Sequence, residues 1–321
     1  LPILSVHFGK LEIWRKERVE TELLDDETRQ AHGRMSITAV DRYIDIGALT
    51  LHIREWDGDH SPFLLIHGLA SNAHTWDLVG EELARHGHRV VAVDQRGHGL
   101  SDKPDQGYDF ATLTADLRRL IDALALEQPY LAGQSWGGNV VLAFAARYPG
   151  VARGYAFVDG GTIHLQGNPA NSWEEIAVKL RPPNLIGTPR ETLRQHINQM
   201  HADWCSAGVE ATLANFEKLP DGTVRPWLTL ERHMKILRAL WDQKPPVLYP
   251  KVKDPVLVCL ADDGNADWLA VKQQGAAEAE AGLRDVTIQW FPETAHDIHI
   301  HRPHELASLV RAHALQAQQL T

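Results

Sequence analysis

From residue 130 the chain reads Tyr-Leu-Ala-Gly-Gln-Ser-Trp-Gly-Gly-Asn, and no other stretch constrains the fold as tightly. A short apolar run stops at Gly133, a lone serine stands at 135, and a helical pattern is established by about residue 140. Glycine loses more backbone freedom on ordering than any other residue, so three glycines in six positions need a physical reason. A sharp turn from strand into helix supplies it. Gly133 and Gly137 omit side chains where backbones approach, and Gly138 lets the helix pack close to the sheet. Ser135 is then held in a strained conformation. Its hydroxyl is exposed at the C-terminal edge of a sheet, against the positive end of a helix dipole.

The flanking pattern agrees with that geometry. After Met35, "SITAVDRYIDI" and "LTLHIREW" alternate apolar and polar residues, as half-buried strands do. "FLLIHG", "RVVAVDQRG", "PYLAGQS" and "GYAFVDGG" are short apolar runs, as expected of parallel strands buried on both faces. Helical patterns at 75–86, 111–126 and 140–148 separate them. This predicts an α/β fold with a doubly wound, mostly parallel sheet of βαβ units. The alternation breaks at Thr162. Residues 162–253 are polar, without an evident buried strand, and carry helical stretches at 172–180, 190–200, 207–218 and 230–241. They also hold Trp173, Trp204, Trp227 and Trp241. The sheet pattern then resumes with "PVLVCLADD", a helix over 266–281, "VTIQWFPETAH" and a last helix from Pro303. The expected organisation is a charged N-terminal helical arm over 1–34, a core of 35–161 and 254–321, and an inserted helical cap over 162–253. That insert is too long for a plain loop.

Composition narrows the partners. Against 32 basic residues stand 42 acidic ones, a formal net charge of −10, and no Lys/Arg run occurs. Nucleic acid and membrane surfaces are therefore not expected as partners, and a small-molecule substrate is. Cys205 and Cys259 are far apart and in no ligand spacing, which disfavours a disulfide framework and a cysteine metal site. No stretch approaches the ~18 apolar residues of a membrane span. The first residues lack the pattern of an intact secretory signal, so the cytoplasm is the default expectation; the absence of an initiating Met leaves a processed or trimmed end open. A homodimer through the arm or the cap is the assembly the sequence allows.

A serine hydroxyl is a weak nucleophile and needs a base within hydrogen-bond reach. Among 18 histidines, position selects His296, in the loop "WFPETAHDIHIHRP" after the last strand, at the edge where doubly wound sheets bind ligands. His299, His301 and His304 lie nearby, but no cysteine or evident carboxylate completes a ligand set, so neither metal nor cofactor is expected. The base in turn needs a carboxylate to hold its tautomer. Asp263, after "PVLVCLA", is the narrow preference, and Asp159, at the end of "AFVDGG", stays open beside it. Asp262 and Asp267 read as a turn residue and a helix cap. Oxyanion donors are expected from the backbone N–H groups of Trp136 and Leu69, with Gly68 letting the latter loop turn in. His67 reads as a structural hydrogen-bonding residue and Trp76 as core.

Together "HGLASNAHTW", "DQRGHGLSDKP", "GQSWGG" and "TAHDIHIHRP" resemble the α/β-hydrolase fold family over roughly residue 35 to the C-terminus. The order Ser135, acid, His296 is similar to that family's order. The resemblance implies structural roles for Asp94, Arg96 and His98. It also sets the chain apart from relatives with aspartate at the elbow, the haloalkane dehalogenases and epoxide hydrolases. The tryptophan after the serine resembles proline iminopeptidases, without their acidic cap and amine-recognition motifs. One departure is that "CLADDGNADW" lacks the usual Gly-x-x-Asp turn, with Gly264 where the aspartate would align. The expected activity is a serine hydrolase acting on a small to medium, fairly apolar ester, thioester, lactone or amide. An aminopeptidase, a cofactor-free peroxidase-like enzyme or a carbon–carbon bond hydrolase shares the same residues, and a non-catalytic ligand-binding receptor is the alternative class.

Overall fold

The computed structural model describes residues 37–319; the arm expected over 1–34 lies outside the described residues. Strands β1 (Val40–Asp45), β2 (Thr50–Trp56), β3 (His60–Ile66), β4 (His88–Val93), β5 (Tyr130–Gln134), β6 (Gly154–Val158), β10 (Val256–Asp262) and β11 (Val286–Pro292) form one sheet. Their order is β1-β2-β4-β3-β5-β6-β10-β11. β1–β2 and β2–β4 are antiparallel and every later pairing is parallel. The apolar runs sit where two-sided burial requires them: β5 and β6 are buried along their whole length. Helices α1 (Asp77–Arg85), α2 (Phe110–Ala123), α3 (Trp136–Arg147), α9 (Ala266–Gly282) and α11 (Pro303–Gln319) flank the sheet. α1 packs on α11, and α2 on α3. Each parallel strand ends at the same edge of the sheet. The segments after β3, β4, β5, β6, β10 and β11 therefore gather there, and they carry the candidate site residues and their braces singled out above.

Between β6 and β10 the chain leaves the sheet. This segment holds α4 (Trp173–Lys179), α5 (Arg190–Met200), α6 (Ser206–Leu213), α7 (Leu230–Asp242) and the short α8 (Pro245–Leu248). It also contains a small antiparallel sheet, β7-β9-β8, of Thr188–Pro189, Thr223–Pro226 and Phe216–Lys218. The helix expected over 207–218 therefore stops at Leu213, and its last residues are strand. The cause is a hairpin turn: Gly222 adopts φ +83° and the Asp221 carboxylate accepts the Thr223 N–H at 3.0 Å. "PDGT" carried that signal in the sequence. Leu193, Ile197, Val209, Leu213 and Val224 make a small core of the segment's own. Polar ties fasten it to the C-terminal edge. Asn72, just after β3, donates to the Ala211 carbonyl at 3.0 Å. His301, on the short helix α10 (Ile298–His301), meets Asp203 at 2.7 Å. No helix among the described residues is long and apolar enough to cross a membrane.

Candidate active site

Ser135 stands between β5 and α3 with φ 53° and ψ −125°, a backbone state that costs a non-glycine residue about 1–3 kcal/mol. Its surroundings over-determine that state. The Ser135 N–H donates to the Val158 carbonyl at 2.9 Å. A Cβ at Gly137 would lie 2.5 Å from the carbonyl oxygens of Ile66 and His67, and one at Gly133 would collide with Gly137 O. Gly138 differs from expectation: the helix does not use it against a strand. A Cβ there would lie 2.7 Å from Gly161 N, so Gly138 clears room for the loop after β6. Ala70 (φ 59°), Asp159 (φ 44°) and Glu293 (φ 50°) are also left-handed non-glycine residues, on the loops that converge with Ser135.

The loop after β3 closes on the serine. A Cβ at Gly68 would lie 3.2 Å from Ser135 Cβ and would strike the Gln134 side-chain oxygen, so a larger residue would have to displace that side chain. His67 is fully buried; its Nδ1–H donates to the Gly68 carbonyl at 2.7 Å and its Nε2 accepts the Gln95 N–H at 3.0 Å. Burial lowers its pKa, more than nearby Asp94 raises it, so it is a neutral brace for this loop. His98 accepts from Ala70 N at 3.3 Å. The Asp94 carboxylate accepts from Ala73 N at 2.7 Å and Leu100 N at 2.8 Å, and lies 2.8 Å from His52 Nδ1. Arg96 pairs with buried Asp116. Within this bracing, the backbone N–H groups of Leu69 and Trp136 donate no hydrogen bond among the described residues.

The histidine meets Asp159 and not Asp263. His296 Nδ1 lies 2.6 Å from Asp159 Oδ2. The Asp263 preference is corrected for a local reason: Asp263 is exposed, and its carboxylate accepts the Asn265 N–H at 3.0 Å in the turn that starts α9. Asp262 is a turn residue, accepting from Gly264 N at 3.0 Å, but the cap of α9 is Asn265 and not Asp267. Asp159 is buried, with its side chain 1% exposed, and its Oδ1 accepts the Ala261 N–H at 3.0 Å. Burial alone would raise the Asp159 carboxyl. The hydrogen bond and charge of His296, then the charge and hydrogen bond of Lys272, outweigh burial and hold it below its ordinary value. For His296, protein atoms crowd the ring enough that burial alone would lower its pKa, although 51% of the side-chain surface remains open. The Asp159 bond and charge reverse that, so its pKa is raised, while Lys272 opposes the rise.

Two residues here gave no signal in the sequence. Lys272, on α9, reaches Asp159 Oδ2 at 2.7 Å. Asn139, on α3, accepts from Gly161 N at 2.9 Å and donates to the Ile163 carbonyl at 2.9 Å and to Gln243 at 2.6 Å. It thereby fastens the elbow helix to the loop after Asp159 and to the inserted segment. Among the described residues no group of three or more His, Cys, Asp or Glu is placed to hold a metal ion. His299 is buried against Trp76, with ring centroids 4.8 Å apart; His301 and His304 turn to Asp203 and Glu82. A groove of about 1020 Å³ between α2, α3 and α7 lies elsewhere; Ser135, Asp159 and His296 are not among its lining residues.

A parallel sheet with a strained serine between β5 and α3, and a buried strand-end carboxylate on a histidine after β11, defines the α/β-hydrolase fold. The family profile described as alpha/beta hydrolase fold matches residues 61–202, a little under half of the chain, and the chain has that fold. It is 38% identical over 120 residues to the 2-(acetamidomethylene)succinate hydrolase of Mesorhizobium japonicum, covering 37% of this chain but only 42% of that protein. To the AB hydrolase superfamily protein YisY of Bacillus subtilis it is 28% identical over 262 residues, 79% of this chain and 91% of that one. The crystal structure of E-2-(acetamidomethylene)succinate hydrolase superposes with a TM-score of 0.70 at 23% identity, covering 85% of this chain and 98% of that one.

Proposed function

We propose that the chain is a serine hydrolase working through an acyl-enzyme on Ser135, with His296 as general base and Asp159 as the triad acid. The observation that carries this reading is the 2.6 Å contact between His296 Nδ1 and buried Asp159. It fixes the Nδ1–H tautomer and leaves Nε2 as the acceptor for the serine proton. Ser135 Oγ attacks the acyl carbon as Nε2 takes its proton. The N–H groups of Leu69 and Trp136, which have no partner among the described residues, receive the developing oxyanion. Collapse of the tetrahedral intermediate expels the leaving group, protonated by His296. Water, deprotonated by the same imidazole, then releases the acid. A serine at the elbow supports acyl chemistry over the alkyl-enzyme route of aspartate-bearing relatives.

The substrate class is a small to medium, fairly apolar ester, thioester, lactone or amide. Similarity to a protein named for hydrolysing 2-(acetamidomethylene)succinate keeps amides within that class. The inserted segment acts as the cap, since Asn72 and His301 tie it over the strand ends. The test is a panel of p-nitrophenyl esters of increasing acyl length, run beside an aminoacyl amide, on the wild type and Ser135→Ala. Turnover of at least one ester that disappears in Ser135→Ala is expected. Equal turnover by both proteins would overturn the reading, and turnover of the aminoacyl amide alone would move the assignment to an aminopeptidase.

A further inference from the structure

Asp159 has a partner that triad chemistry does not require. Its Oδ2 receives both His296 Nδ1 at 2.6 Å and Lys272 Nζ at 2.7 Å. The same ammonium donates to the Ala261 carbonyl at 2.7 Å, while the Ala261 N–H donates to Oδ1 at 3.0 Å. Lys272 thus bridges the carboxylate and the end of β10. Its side chain is 19% exposed, against 1% for Asp159. The helix that carries it is pressed onto the loop after β6: a Cβ at Gly275 would lie 3.1 Å from Thr162 Cβ. We propose that Lys272 is a positioning residue: it fixes the Asp159 carboxylate against β10 and takes up part of the negative charge that would otherwise act on His296 alone.

One carboxylate oxygen serves both His296 and Lys272. A buried carboxylate needs compensation even when the histidine is neutral, and Lys272 provides it in the resting state. When His296 takes the serine proton, the imidazolium forms beside an ion pair and not beside a bare anion. Its gain from Asp159 is correspondingly smaller, and the neutral base persists to lower pH than it would without the lysine. The charged and titratable groups that act on His296 are Asp159 from the loop after β6, Lys272 from α9 and its own neighbour Asp297. His299, one helical turn on, is buried and uncharged near neutral pH, with burial lowering its pKa to about 4.

The proposal rests on the triad reading, and the experiment separates the two. The second-order rate of labelling by a fluorophosphonate probe is measured from pH 5 to 9 for the wild type, Lys272→Met, Lys272→Gln, Lys272→Arg and Ser135→Ala. In both uncharged variants the acid limb is expected to move to higher pH, so that labelling falls several-fold more at pH 6 than at pH 8. Lys272→Arg should remain within about twofold of the wild type at both. If Lys272→Met fails to fold, Lys272→Gln, which keeps a hydrogen-bond donor without the charge, carries the comparison. A merely structural lysine would lower the rate at every pH and leave the limb in place. An unmoved limb, or one displaced to lower pH, overturns the proposal while the triad stands. Labelling that persists in Ser135→Ala, or is absent from the wild type, overturns the triad itself.

Discussion

At Asp159 three donors meet two carboxylate oxygens, and two of those donors meet the oxygen that faces His296. Replacing that carboxylate with an amide leaves its size unchanged but reverses the hydrogen bond that sets the imidazole tautomer. Asp159→Asn should therefore lower kcat about a thousandfold to ten-thousandfold, while Asp263→Asn should stay within about twofold, read from steady-state rates on the best p-nitrophenyl ester. The reverse ranking would return the acid to the loop after β10. Because Asp159 raises His296 against the effect of burial, the acid limb of kcat/KM should lie above the ordinary histidine value. Activity is lost as pH falls through it, since the protonated imidazole cannot accept from serine. A limb below that value would contradict the pairing. The placing of Ser135 and His296 at the C-terminal sheet edge was legible because each follows an apolar strand run. The carboxylate that meets His296 was not, since Asp159 and Asp263 both follow apolar strands. Only the backbone, left-handed at Asp159 and turned into an Asx bend at Asp263, decides which carboxylate faces inward.

Among the elements, α3 is the one on which the site converges. Its first turn touches β3 through Gly137, the loop after β6 through Gly138, and the inserted segment through the Asn139–Gln243 pair. Gly137→Ala places a methyl 2.5 Å from two carbonyl oxygens of fixed backbone. It should cost about 1–3 kcal/mol, measured as a lower urea midpoint at unchanged m-value. An unaltered midpoint would mean that the helix shifts freely and that the glycines are not there for close approach. The strands and helices of the core could be read in advance because period-two and buried runs are local signals. The small sheet of the insert could not be read so easily. Its strands are two to four residues long, shorter than any periodicity can register, and only the Asp-Gly turn announced them.

At the scale of the whole molecule, six histidines among the described residues are buried and held toward the neutral form. Burial lowers His88, His299 and His313 to about 4, from an ordinary value of 6.5, and lowers His67, His98 and His233 in the same direction. Between those two values the unfolded chain binds more protons than the folded one, so stability rises with pH in that window and is lost as pH falls from about 6.5 toward 4. His296, whose pKa is raised, works in the opposite sense, but it is one group against six. The loss should be on the order of a few kcal/mol, seen as a falling urea midpoint between pH 6.5 and 4.5. A flat or rising midpoint would show that these imidazoles are not held neutral by the fold.

The chemistry assigned to the strand ends comes down to one covalent event. The folded chain is treated with a fluorophosphonate, and its adduct is located by peptide mass spectrometry and timed in Asp159→Asn and Asp263→Asn. The adduct is expected on Ser135, forming far more slowly in Asp159→Asn and at an undiminished rate in Asp263→Asn. An unmodified Ser135, or a rate that follows Asp263 and ignores Asp159, would contradict the assignment.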